Sequence, residues 1–97
     1  MKNISSNQSK RLRKFNKIKR NLSPFCVICG AEAADAAHLL PRSLYPEYYT
    51  EEWNIVPMCR LHHDMYDSDR AFRRSMKFLV DIVKSHDQCA ANRYFDL

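Results

Sequence analysis

Cys26-Val27-Ile28-Cys29-Gly30 and Cys59-Arg60-Leu61-His62 decide how this chain folds. Each stretch sets two soft ligands either side of two residues, the spacing at which both can bind one ion. The glycine after the first pair lets the backbone turn with its amides close to the sulfurs. With 29 residues between Cys29 and Cys59, the two knuckles together make a Cys3His set. Zn2+ is the tetrahedral ion that suits thiolate plus imidazole, so a structural zinc is the expectation. Cys89 has no partner at ligand spacing and reads as a half-buried thiol, with replacement of His62 as fourth ligand the alternative. His86 reads as a solvated histidine at a helix end.

The rest of the chain explains why a staple is needed. Ninety-seven residues allow one small domain, and 45% hydrophobic with 28% charged residues is a globular rather than disordered composition. A body of this size with so little regular strand seldom holds together by apolar burial alone. One glycine excludes Walker and Rossmann phosphate loops, which need several for close backbone approach. No apolar run approaches the roughly 20 residues of a membrane span. Met1-Lys2-Asn3-Ile4-Ser5-Ser6 has no apolar leader region, so a cytoplasmic, reducing compartment is expected and disulfides are disfavoured.

Charge divides the chain in two. Residues 1–31 hold eight Lys or Arg and no acid, whereas the remainder holds eight basic and eleven acidic residues. A basic arm beside a near-neutral body is the electrostatic footprint of a phosphate-bearing partner, although a solvated tail or an organelle-targeting segment has similar composition. Leu12, Phe15, Ile18 and Leu22 recur at helical steps after the cap candidates Ser5, Ser6 and Ser9, and Ser23-Pro24 stops the helix. Residues 1–22 are thus expected as a helical nucleic-acid-binding arm presenting Lys10, Arg11, Arg13, Lys14 and Lys17, and residues 24–97 as the folded body.

Within the body, Phe25–Ile28 and Ala33–Leu40 read as extended segments around a turn at Gly30, followed by a loop from Pro41 to Trp53. Ile55-Val56 is strand-like, and Cys59–Asp67 reads as a short helix. A longer helix starts near Asp69, with its apolar stripe at Phe72, Met76, Leu79, Val80 and Val83. Tyr94, Phe95 and Leu97 are expected to pack back onto the body.

Three further polar positions carry chemistry. His38 ends the second extended segment, Asn54 precedes Ile55-Val56, and His63 follows His62 directly with Asp67 four residues on. Residues at i and i+4 share a helix face, so His63 and Asp67 can hold one ion, while His62 points about 100° away toward the other. From spacing alone, one ambiguous zinc ligand plus a surface histidine fits equally well. Neutral imidazole suits deprotonation of water near pH 7, an amide such as Asn54 ties down a loop without titrating, and Arg42 can clamp a phosphate oxygen or form a structural ion pair.

The ordered set of C-x2-C, His38-Leu39-Leu40-Pro41-Arg42 and Trp53-Asn54-Ile55-Val56-Pro57-Met58-Cys59-x2-His62-His63 resembles the zinc-supported branch of the HNH (ββα-metal) endonuclease family over residues 26–67. The resemblance implies an α+β fold: a small zinc-stabilised ββα-metal unit with a short β-hairpin, flanking helices and, here, a basic N-terminal helix. It implies cleavage of nucleic acid, most simply double-stranded DNA, with one divalent ion, Mg2+ or Mn2+. By position, His38 becomes the general base, Asn54 the middle residue and His63 the metal-binding histidine. Cys26, Cys29, Cys59 and His62 fall on the zinc ligands, with His62 in place of the more usual cysteine. Small free-standing chains of this family occur in phage and bacterial genomes. Two departures stand out. Ala37 occupies the position before the base where many members carry a second metal ligand, leaving Asp67, then Asp35, as substitutes. The Gly-Gly pair common between base and Asn is also missing. A zinc-finger-like module that binds DNA or RNA without cutting is the rival reading, and a zinc-stapled adaptor, which needs no basic arm, is a third.

Overall fold

Gly30 has φ +78°, a left-handed conformation that glycine adopts without strain, and around it the chain makes a tight knuckle. The Gly30 amide donates to the Cys26 carbonyl at 2.9 Å and the Cys26 amide to the Ala31 carbonyl at 2.6 Å. Phe25 and Glu32 form a lone antiparallel bridge at the base of the knuckle. The extended reading of Phe25–Ile28 is therefore corrected: turning the two sulfurs toward one point takes hydrogen bonds inside the turn, not a strand ladder.

The computed structural model describes residues 6–97, with side chains described from Ser9 onward. The readings placed on Met1–Ser5, namely the missing leader and Ser5 as a cap, lie outside those residues. Helix α1 spans Ser6–Arg20, strand β1 Asp35–His38 and strand β2 Ile55–Met58. Helix α2 follows at Arg60–Ser68, α3 at Arg70–Ser75, α4 at Lys77–His86 and α5 at Gln88–Tyr94. β1 and β2 pair antiparallel with Asp35 opposite Met58, Ala36 opposite Pro57, Ala37 opposite Val56 and His38 opposite Ile55. The expected extended run Ala33–Leu40 thus shortens to four paired residues, and the connecting loop contains two 3-10 turns, Pro46–Tyr48 and Glu52–Asn54. The fold is α+β, a two-stranded hairpin with α2 packed against it.

The core lies between the hairpin and the last helices. Ala37, Leu39, Leu40 and Met58 meet Tyr66 of α2, Leu79, Val80 and Val83 of α4, and Ala90, Ala91, Tyr94 and Phe95 at the end of the chain. Each fully buried Leu or Val contributes about 1.5–3 kcal/mol relative to exposure. Tyr66 enters the core without an orphan hydroxyl, because it donates to the Leu39 carbonyl at 2.7 Å. Buried Arg73 is satisfied by carbonyls, donating to Tyr66 at 2.8 Å, Asp67 at 3.1 Å and Tyr94 at 3.3 Å, with its guanidinium 4.1 Å from the Tyr94 ring centroid. It ties the end of α2 to α5.

Two sequence expectations change here. The long helix from Asp69 starts as read, with the Asp69 carboxylate accepting from the Phe72 amide, but it breaks at Met76, where φ is −82° and ψ is 73°. The Ser75 hydroxyl donates to the Phe72 carbonyl, competing with the helical ladder. The Met76 carbonyl then accepts from the Leu79 and Val80 amides to begin α4. Leu97 stays 55% exposed, so only Tyr94 and Phe95 pack back.

Helix α1 lies on the body. Ile18 is buried, Phe15 and Leu22 are half-buried, and Leu12 remains exposed. Among the described residues no helix is long and apolar enough to cross a membrane.

Candidate functional site

The ligand atoms of Cys26, Cys29, Cys59 and His62 all lie within 4.8 Å of one another. Cys29 Sγ is 3.8 Å from Cys59 Sγ, and Cys59 Sγ is 3.3 Å from His62 Nδ1. A tetrahedral zinc with Zn–S bonds of ~2.3 Å sets two sulfurs about 3.8 Å apart, so the donor set fits that ion in both chemistry and spacing. All four cysteines are free thiols. Cys89 is exposed and outside this cluster, which removes it as an alternative ligand and corrects its half-buried reading. The hairpin brings the knuckles together: the Val27 amide donates to the Pro57 carbonyl at 2.8 Å, holding the first against β2, while Cys59 caps α2 and leads into His62. The His62 ring stacks on Phe72 with centroids 5.9 Å apart and planes within 3°. Burial pushes the Cys26 thiol up, but hydrogen bonds from the backbone of Cys59, Cys29 and Ile28 outweigh it and bring the group down to about 6, favouring the thiolate that a metal requires.

One residue beyond His62, the helix turns His63 toward β1. His63 Nδ1 lies 2.8 Å from Asp35 Oδ2, and His63 Nε2 lies 3.2 Å from Asp67 Oδ2. Asp35 is itself fixed by Arg60, whose Nε and Nη2 donate to its two oxygens at 2.9 and 3.0 Å. The hydrogen bond from His63 and the Arg60 charge hold the Asp35 carboxyl below its usual range. Nδ1–H donating to Asp35 would leave Nε2, beside the Asp67 carboxylate, as the nitrogen open to an ion. Two ligands about 2.1 Å from an octahedral ion at right angles are about 3 Å apart, which the Nε2–Asp67 distance matches. Asp35 therefore stands behind the histidine, in the carboxylate–histidine arrangement that orients metal ligands, rather than beside Asp67 as a second ligand.

His38 stands at the end of β1 across the same cleft. Its Nε2 lies 3.0 Å from the Tyr49 carbonyl oxygen. A carbonyl only accepts, so the proton sits on Nε2 and Nδ1 is left with a lone pair. Burial pushes His38 below the ordinary histidine value; the Tyr49 hydrogen bond opposes this, and the positive charge of Arg42 adds to it. His38, Arg42, His63 and Asp67, with Ala36 and Pro41, line one open cleft of about 160 Å³. Arg42 is exposed, with its guanidinium 4.4 Å from the Tyr49 ring centroid.

Asn54 is fully buried and works on the backbone. Its Oδ1 accepts from the Leu40 amide at 2.8 Å, and its Nδ2 donates to the carbonyls of Leu40 at 3.1 Å and Tyr48 at 3.0 Å. It thereby clamps both ends of the loop that follows His38, the task an amide performs without titrating. The loop is held from the other side by Tyr48, whose hydroxyl donates to Asp87, the cap of α5, at 2.5 Å.

On α1, Lys10, Arg13, Lys14 and Lys17 are exposed. Lys14 and Lys17 line a second cleft of about 290 Å³ between α1 and Glu52. Arg11 differs from them: its Nη2 donates to the Pro46 carbonyl at 2.7 Å, pinning the helix to the loop. His86 is exposed and stacks on Trp53 with centroids 4.5 Å apart. Sequence reasoning missed the aromatic surroundings of His38, namely Phe15 and Tyr49; only the helical phase that marked Phe15 as inward-facing hinted at them.

A family model described as HNH endonuclease matches residues 26–71, the span that holds both knuckles, the hairpin, α2, His38, Asn54 and His63. No curated protein and no solved structure matches the chain.

Proposed function

We propose that this chain, a member of the HNH endonuclease family through residues 26–71, is a divalent-metal-dependent endonuclease that hydrolyses phosphodiester bonds in double-stranded DNA. The observation that carries the reading is the meeting of His38, Arg42, His63 and Asp67 around one cleft beside the Cys3His cluster. A pure binding module has no use for a histidine with a free lone pair in the same cleft as a histidine–carboxylate pair.

In this reading His38 takes a proton from water at Nδ1 while the Tyr49 carbonyl keeps its other nitrogen protonated. The water oxygen bonds to phosphorus as the bond to the 3′-oxygen breaks, leaving a 5′-phosphate and a 3′-oxygen that takes a proton from solvent to become the hydroxyl. His38 later returns its own proton to solvent. His63 and Asp67 would hold Mg2+ or Mn2+, which when bound neutralises charge on the scissile phosphate and stabilises the departing oxygen. Asp35 fixes the His63 ring from behind, and Arg42 clamps a phosphate oxygen. Asn54 keeps the loop after the base in register. Zinc at Cys26, Cys29, Cys59 and His62 is structural. Lys10, Arg13, Lys14 and Lys17 contact the DNA backbone, with Arg11 anchoring their helix. Free thiols throughout suit a cytoplasmic setting in a bacterial or phage-infected cell.

Incubation with supercoiled plasmid and a titration of Mg2+ or Mn2+ tests the reading. His63→Ala and Asp67→Ala are each expected to raise the ion concentration needed for half-maximal cleavage, with zinc content unchanged. Loss of zinc in His63→Ala but not in His62→Ala would reverse the two histidines. A wild-type protein that binds the plasmid and never cuts it would leave the zinc-finger-like binding module as the function.

A further inference from the structure

Three rings from three parts of the chain meet at the base. Phe15 of α1 stacks on His38 with centroids 5.3 Å apart and planes within 16°, and on Tyr49 at 5.2 Å and 17°. His38 and Tyr49 stack on each other at 5.3 Å and 25°. Helix α1 is fixed over this cluster by the Arg11 bond to the Pro46 carbonyl, by the Arg11 guanidinium 5.3 Å from the Tyr49 centroid, and by buried Ile18.

The single hydrogen bond from Nε2 to the Tyr49 carbonyl fixes one edge of the imidazole, but the ring can still pivot about that bond. A near-parallel aromatic neighbour 5.3 Å away limits that pivot, because tilting the imidazole drives it into the neighbouring ring. Phe15 supplies that neighbour from outside the family-matched span, on the helix that carries the basic residues.

We infer that Phe15 is a positioning residue for His38, holding the imidazole so that Nδ1 addresses the cleft, and that α1 thereby joins the grip on DNA to the orientation of the base. The inference rests on His38 being the general base, as proposed above. Phe15 is half-buried and lies outside the main buried core, so thermal unfolding of each variant is read alongside its activity.

The test compares wild type, Phe15→Ala, Phe15→Leu and Phe15→Tyr on one supercoiled plasmid under single-turnover conditions, with affinity for uncut DNA measured in Ca2+. Misplacing a catalytic group by about 1 Å costs on the order of 100-fold, so Phe15→Ala and Phe15→Leu are expected to lose roughly 10- to 100-fold in cleavage rate. Their DNA affinity stays within about threefold of wild type, a small change beside that loss. Phe15→Tyr, which keeps the ring, restores the rate. In NMR spectra the His38 ring-proton shifts move in Phe15→Ala and Phe15→Leu as the ring current of Phe15 is lost, and stay in place in Phe15→Tyr. Equal cleavage rates for wild type, Phe15→Ala and Phe15→Leu would overturn the role of Phe15 alone. A loss in rate matched by an equal loss in affinity would also overturn it, making Phe15 part of the grip. A wild type that cuts nothing would overturn the functional reading and this role with it.

Discussion

At the scale of single residues, the same imidazole chemistry is put to different uses by what each ring nitrogen meets. His62 turns Nδ1 to a sulfur, His63 turns Nδ1 to Asp35 and Nε2 to Asp67, and His38 turns Nε2 to a carbonyl. The surroundings of His38 set a pH response. Burial and the Arg42 charge disfavour its protonated form, so its ring loses the proton at lower pH than an ordinary histidine. In the proposed mechanism the neutral ring is the base, so activity falls as pH drops and His38 takes up a proton. At saturating divalent ion, kcat/KM is expected to rise with pH through a midpoint below 6.5. Arg42→Gln removes one lowering influence and moves the midpoint up. A pH–rate profile from 5 to 8 checks both; a midpoint above 6.5 in the wild type contradicts the environment described for His38.

At the scale of elements, the parts that local spacing defines were legible in the sequence. Cys26 with Cys29, Cys59 with His62, and His63 with Asp67 are neighbours because a knuckle or a helical turn makes them so. Asn54 was legible as a loop tie through its place in the family pattern, since an amide can hold backbone groups without titrating. What depends on the packing of distant segments was not legible. The helix break at Met76 turns on a Ser75 hydroxyl competing for one carbonyl, while Met76 itself fits the apolar stripe. The place of Asp35 behind His63 depends on how α2 crosses β1, and the stack of Phe15 on His38 spans two elements with no shared period. The elements are small, and the zinc knuckle joins them. Structural zinc contributes an apparent ~10–16 kcal/mol in small domains, as much as or more than the whole stability of a typical fold. Cys29→Ser is therefore expected to lose zinc and cooperative thermal unfolding together, as read by metal analysis and circular dichroism. A cooperatively folded, zinc-free wild type would contradict this.

At the scale of the whole molecule, α1 holds most of the excess positive charge and also lies over His38, so the proposed grip and the proposed base share one helix. Each phosphate neutralised on duplex DNA adds a slope of about −0.9 in log K against log salt. Eight basic residues set a ceiling near −7, and one helix presents only some of its charges to one backbone. Deletion of residues 1–22 is expected to remove roughly 3 to 5 units of slope for every DNA sequence alike, and to slow cleavage as well through loss of Phe15. Unchanged slope would make the charge a solvated surface.

The central claim is that this chain cuts DNA with His38 as its base, and cleavage of supercoiled plasmid by His38→Ala tests it most directly. The account expects wild type to nick the plasmid in Mg2+ or Mn2+ and His38→Ala to lose that activity by roughly 100-fold or more, within the 10²–10⁴ range for a general base. Zinc content, thermal unfolding and DNA affinity stay as in wild type. Nicking by His38→Ala at the wild-type rate would contradict the account.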